Sequence, residues 1–307
     1  MQTVVWRAMG AQMRAVLDTA SPRAAQRLAT VPAWFETWEA RLSRFRRESE
    51  LNRLNAGAGD WQVLSPVAWE VAQAAFEAAR ATDGLVSPLV LEAVVAAGYD
   101  RSFEALPVAA AAPPRLPEPC QDWRAVERRP SRRALRLPMG AGLDFGGIGK
   151  GWAADRAADR LGQFGPALVD AGGDIAVSAP PRRQPGWSIG VADPLRPDDL
   201  VLTLCLPRGG VATSGRDYRR WRSGGREQHH LIDPRTGRPA LTDSLAATVI
   251  APTAARAEAA AKAALLLGSA AGLAWLDARA DLAGLLIRDD GRVLFSQRLE
   301  RFLWRST

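Results

Sequence analysis

Lysine, histidine, cysteine and tyrosine are each present only twice in this chain of 307 residues, and each scarcity narrows what the protein does. Cys120 and Cys205 have no partner at metal or redox spacing, which excludes a cysteine-based metal site or redox pair and leaves two idle or buried thiols. Neither lies near the N-terminus, where a lipid anchor would attach. Long apolar runs are missing too. The segments AAWLDARADLAGLLIR and AAKAALLLG are broken by charge or glycine well short of the roughly 20 residues that a membrane span needs. The opening MQTVVWRAMGAQMRAVLDT has no basic region followed by an apolar stretch, so no secretory signal is expected and the cytoplasm is the default location.

Lysine is the most informative scarcity. Of 40 basic residues, only Lys150 and Lys262 are lysine; all the others are arginine. Arginine is a permanently charged planar fork and lysine a compact, titratable point charge, so the two are not interchangeable in a tight site. The net charge of +7 is spread along the chain rather than gathered into a block, which argues against a nucleic-acid surface.

What is present is the composition of a soluble globular protein, 47% hydrophobic and 24% charged, long enough for one large core or two lobes. The residues around Met9 and Gly10 read as a strand or hairpin. Apolar positions at three- and four-residue steps (Leu28, Val31, Trp34, Phe35, Trp38, Leu42) predict an amphipathic helix ending near Ser43. A second helix is expected over about 65–81, with Pro66 in its first turn. Residues 105–135 are rich in proline and read as an irregular excursion. Beyond them, strand-like pieces (RALRLP, GLDFG, ALVDAGGDIAVSA, GWSIGVAD, LVLTLCLP, GGVATSG, LAATVIAP) alternate with helices at 151–163 and 254–267. The fold class this predicts is α+β, not a doubly wound parallel sheet.

Four segments carry chemistry. In LDFGGIGKGWAADR (143–156), Gly146, Gly147, Gly149 and Gly151 precede an amphipathic helix, an arrangement that presents backbone N–H groups to a phosphate or serves as a plain tight turn. A Walker loop is excluded, because it needs glycine at 144 and Ser or Thr at 151, where the chain has Asp144 and Gly151. In ALVDAGGDIAVSA the paired glycines predict a bulge or a close approach, with Asp174 either binding a ligand or stabilising the turn. The third segment pairs Thr213 and Ser214 with the later HHLIDPRTGRP, which holds both histidines and a strong Asp-Pro turn. No nucleophile elbow is present. In the fourth, Glu258 and Lys262 lie i, i+4 on one helix face, either as an ion pair or with Glu258 as a hard oxygen ligand for a divalent cation.

Together these segments resemble the FAD:protein FMN transferase (ApbE-like) family. The resemblance rests on Met9-Gly10, FRRESEL (45–51), LDFGGIGKG, AGGD, ATSG, HLIDPRTG (230–237) and TAARAEAAAKAA, in that order over about residues 8–268. It implies one ApbE-like domain over residues 1–307, of mixed sheets and helices in two lobes, with FAD bound in the cleft between them. The implied activity cleaves FAD, attaches its FMN half to a threonine or serine of an acceptor flavoprotein and releases AMP, with Mg²⁺ as helper. Carried over by position, Met9 and Phe45 contact the flavin. Ala97, Gly98, Tyr99, Gly146, Lys150, Trp152, His230 and Ile232 bind the nucleotide, the Gly149 carbonyl and Glu258 hold the metal, and Lys262, His230 and Glu258 form the catalytic set. The late helix departs from the family pattern: one of two usual acids is Glu258, the second is the alanine Ala261, and the usual threonine is Lys262. Two readings therefore stand side by side: a transferase in which Lys262 replaces part of the metal's charge, and an FAD-binding homologue limited to binding or pyrophosphate hydrolysis.

Overall fold

The computed structural model describes residues 1–106, 109–110, 118–223 and 225–304. The chain divides into two compact units, one of Met1–Glu36, Lys150–Asp217 and Thr242–Thr307, the other of Thr37–Gly149 and Tyr218–Leu241.

The first unit is built on an eight-stranded sheet whose spatial order follows the chain: Gln2–Ala8, Ala11–Leu17, Ala167–Ala171, Asp174–Val177, Gly209–Gly215, Ser244–Ala251, Ala283–Arg288 and Val293–Phe295. Every neighbouring pair is antiparallel, as α+β organisation requires. One face is covered by a ribbon of Trp187–Asp193 and Arg196–Leu206, whose strict alternation sends Trp187, Ile189 and Val191 into a core with Leu168, Val211, Ile250 and Leu285. The helix Ala254–Leu267 packs against the strands Gly209–Gly215 and Ser244–Ala251. Sandwiched in this way, Ser244–Ala251 is buried along its whole length. Alternation along the strands then sorts side chains between faces. Ile175, Val211 and Thr213 point toward the ribbon, and Asp174, Ala212 and Ser214 point toward the helix.

Two hairpin tips differ in character from simple strand breaks. Met9 and Gly10 form the two-residue turn between the first strands, with φ of 49° and 69°. The paired glycines are also a hairpin turn rather than a bulge: Gly172 and Gly173 have φ of 69° and 94°, which tight two-residue hairpins demand. Asp170 stabilises this turn, its Oδ1 accepting the Gly173 N–H at 2.8 Å, so the turn-stabilising role open to Asp174 falls to another residue.

The helix expected up to Ser43 is two helices, Pro22–Ala29 and Val31–Leu42. Thr30 ends the first by donating its hydroxyl to the Arg27 carbonyl, and Pro32 has no N–H with which to continue the ladder. The remaining helices are closer to expectation: Pro66–Ala81 is capped by Ser65, Gly149–Gly162 begins inside the glycine segment, and Ala254–Leu267 is capped by Thr253. A short helix Glu50–Ala56 in FRRESEL, another at Leu91–Ala96 and a third at Ser269–Asp277 carry no strong periodic signal. The GLDFG piece is not a strand. Its backbone is held by a side chain instead, Asn55 both donating to the Leu143 carbonyl at 2.9 Å and accepting the Leu143 N–H at 2.8 Å. Of the proline-rich excursion, residues 107–108 and 111–117 lie outside the described residues, and 118–135 carries short 3₁₀ turns and the strand Glu127–Arg129. Among the described residues no helix is long and apolar enough to cross a membrane.

Candidate active site

Both lysines of the chain meet at one carboxylate. Lys150 stands in the first turn of the Gly149–Gly162 helix and Lys262 in the middle of Ala254–Leu267. Their Nζ atoms lie 3.8 and 3.6 Å from the same oxygen, Oε1 of Glu258. The other oxygen of Glu258 accepts the backbone N–H of Gly151 at 3.0 Å. Lys150 also forms a direct ion pair with Asp174, whose side chain is buried by the sheet and its covering helix. Two acids and two bases thus form a compensated cluster, the arrangement a low-dielectric interior demands of buried charge.

Helix approach explains the cluster. A Cβ on Gly151 would fall 2.7 Å from the carbonyl oxygen of Ala254, so this glycine lets the start of one helix lie against the start of the other. The contact is tied further by Asp155, whose two oxygens accept the N–H groups of Ala254 and Ala255 at 2.8 and 2.9 Å. An acid capping a helix N-terminus is favourable, yet burial dominates and pushes the Asp155 carboxyl up to about 6. Asp174 is also raised, by burial first and by the charge of Glu258 second, with Lys150 opposing. Trp152 is buried on the same helix as Lys150, and Met9 is half-buried at its hairpin tip in this unit.

The second unit gathers a different part of the predicted set. Ala97, Tyr99 and Ile232 share an apolar cluster with Trp221, whose indole N–H donates to the Ala97 carbonyl at 2.8 Å. Phe45 is 43% exposed, and its ring centroid lies 5.6 Å from that of Tyr99. Gly146 donates its N–H to Oδ1 of Asp144 at 2.5 Å in the turn that leads to Gly149. The two histidines have separate settings. His229 is buried and bridges the backbone, its Nδ1 accepting from Leu231 N–H at 3.3 Å and its Nε2 facing the Ala240 carbonyl at 3.1 Å, while His230 is half-buried beside it. The Asp233 turn forms as expected, with its carbonyl accepting from Thr236 and Gly237 and its carboxylate held by the Arg235 fork.

In FRRESEL, Ser49 caps a helix through the Asn52 N–H, and Glu50 accepts from both the N–H and the hydroxyl of Ser65. The backbone on either side of Phe45 is held by Asn52, whose amide donates to the Arg44 and Arg46 carbonyls. Sequence reasoning singled out neither Arg44, Asp144 nor Asp155, because the signal of each is a long-range partner and not a spacing.

The donor set does not fit a divalent cation as it stands. Glu258 already serves two ammonium groups and a backbone N–H, Asp174 is paired with Lys150, and a hard cation requires several oxygen ligands unencumbered by like charge. Among the described residues no group of three or more His, Cys, Asp or Glu side chains is placed to hold a metal ion.

A family model described as the ApbE family matches residues 9–286. The chain is 32% identical over 275 residues to an FAD:protein FMN transferase of Treponema pallidum, covering 82% of this chain and 74% of that protein. It is 26% identical over 275 residues to the FAD:protein FMN transferase of Salmonella typhimurium, covering 84% and 76%. Among solved structures, the ApbE protein of Thermotoga maritima superposes with a TM-score of 0.86 at 25% identity over 99% of both chains. The flavin transferase ApbE of Vibrio cholerae, at 22% identity and a TM-score of 0.80 over 98% of this chain and 99% of that one, shares the fold.

Proposed function

The chain belongs to the ApbE family, and from that premise we infer that it is an FAD:protein FMN transferase. Its substrates are FAD and a hydroxyl of an acceptor protein. The acceptor oxygen forms a bond to the phosphorus of the FMN half, the pyrophosphate bond breaks, AMP departs with the bridging oxygen, and the hydroxyl proton passes to water. Phosphoryl transfer of this kind asks a protein for positioning and for neutralisation of charge more than for covalent chemistry.

The observation that carries the residue-level reading is the convergence of Lys150 and Lys262 on Glu258. In this proposal the two ammonium groups face the pyrophosphate and supply charge that Mg²⁺ would otherwise supply, while Glu258 and Asp174 hold them in place. Met9 and Phe45 contact the flavin. Ala97, Gly98, Tyr99, Gly146, Trp152, His230 and Ile232 hold the nucleotide, His230 also serving next to the reacting phosphates, and the Gly149 carbonyl stays a backbone acceptor. Similarity to named transferases favours transfer over FAD binding alone. The test is incubation of the purified chain with FAD and an acceptor flavoprotein, followed by AMP quantification and mass spectrometry of the acceptor. FAD bound without AMP release or an added FMN mass would overturn the transferase reading.

A further inference from the structure

Arg44 has an environment that neither composition nor spacing signals. Its side chain is only 8% exposed although it sits on the chain segment that presents the exposed Phe45. Its guanidinium carbon lies 4.1 Å from the Phe45 ring centroid and 4.5 Å from that of Tyr99, so one cation is wedged against both rings. The guanidinium is held by polar groups as well: Nη1 donates to the Tyr99 carbonyl at 2.6 Å, and Nε lies 3.0 Å from Oδ2 of Asp144 in an ion pair. Asp144 then uses its second oxygen on the Gly146 N–H. Tyr99 in turn lies 5.3 Å from Trp221, centroid to centroid. The link is anchored from behind, because the Asn52 amide donates to the Arg44 and Arg46 carbonyls, each at 3.0 Å.

We infer that Arg44 is a positioning residue that ties the aromatic wall of Phe45 and Tyr99 to the glycine turn at Gly146 through Asp144. This rests on the transferase reading above, in which the rings meet the flavin and the turn meets the phosphates. A molecule that carries both groups on one frame binds more tightly than its halves only while the two subsites keep a fixed spacing, and Arg44 is the part that sets it. Burial lowers the affinity of the Arg44 guanidinium for its proton, with Asp144 opposing, yet arginine stays charged at any working pH and the link is permanent. Lysine has no planar fork with which to stack on two rings while serving a carbonyl and a carboxylate.

The experiment compares wild type, Arg44→Lys, Asp144→Asn and the double variant as full chains, measuring affinity for FAD, for riboflavin and for ADP, the kcat and KM of AMP release, and thermal midpoints. The expected result is that both variants bind riboflavin and ADP within about threefold of wild type, bind FAD roughly tenfold more weakly, and release AMP with a lowered kcat at saturating FAD. The double variant should be no worse than either single one, since both cut the same link. Asp144→Asn reads the link from its other end should Arg44→Lys not fold. A folded variant whose FAD affinity and kcat stay within twofold of wild type overturns the inference, as does a loss of riboflavin affinity equal to the loss for FAD. If the wild-type chain itself neither binds FAD nor releases AMP, it is the transferase reading that fails.

Discussion

Lys150 and Lys262, from two different helices, approach the same oxygen of Glu258 at 3.8 and 3.6 Å. In a chain that uses arginine for every other basic position, this is where a compact cation has been kept. Arginine at either place would bring a wide planar group into a space already bounded by Glu258, Asp174 and the backbone of Gly151.

Removing one lysine should therefore act on chemistry first. Lys262→Ala is expected to lower kcat for AMP release by at least about tenfold, while Lys150 still faces Glu258. Wild type should be insensitive to chelator and Lys262→Ala partly restored by millimolar Mg²⁺. Equal metal dependence in the two proteins would contradict the replacement of metal charge by lysine.

Removing the shared acid is a different experiment. Glu258→Ala removes the buried carboxylate that both ammonium groups approach, and its cost should be on the order of 3 kcal/mol. The check is chemical denaturation of wild type and variant. A midpoint unchanged within error would show that the cluster is not held by this carboxylate.

The Asp155 carboxyl, raised by burial to about 6, makes a pH prediction with a definite sign. A carboxyl whose folded value exceeds its unfolded value contributes most below the unfolded value, near 4, and that contribution is lost as pH rises through about 6. The stability advantage of wild type over Asp155→Asn should accordingly shrink between pH 4 and pH 6.5 and then level off. Thermal unfolding across that range decides it, and an advantage that grows with pH would refute the burial account.

Gly172→Ala should be costly although it adds one methyl group. The residue has φ of 69°, and a Cβ there would fall 2.5 Å from Cβ of Ala11 in the neighbouring hairpin. A loss of roughly 2 kcal/mol is expected in urea unfolding, more than Gly173→Ala costs, since nothing lies within 4 Å of a Cβ at that position.

Phe45 is exposed, so its removal should spare the fold and harm the ligand. Phe45→Ala is expected to raise KM for FAD about tenfold with an unchanged thermal midpoint, whereas Phe45→Tyr retains the stacking surface and near-wild-type KM. Steady-state kinetics at varied FAD separates the two.

Several elements were legible because their determinants are local. Pro66–Ala81 and Ala254–Leu267 announce themselves through a capping hydroxyl, apolar or alanine-rich content and the absence of breakers. The family motifs were legible for a related reason, since each is a contiguous run. Less visible was the break at Thr30, where the apolar spacing continues across the interruption and only Pro32 betrays it. The GLDFG piece misled because its apolar run is stabilised by Asn55, a partner 88 positions away. His229 and His230 are adjacent in the chain and differ only in what surrounds them.

By itself the sequence determined the α+β class, the family, the order of the motifs and the importance of the two lysines, since composition, periodicity and contiguous spacing are all properties of a string. Only the tertiary structure decided that those lysines share one carboxylate, that Asp174 is an ion-pair partner and Asp170 the turn stabiliser, and that Arg44 packs against two rings. Each of these depends on groups brought together from distant segments by helix packing and strand pairing, and on burial, which raises the energy of an unpaired charge and so dictates who pairs with whom.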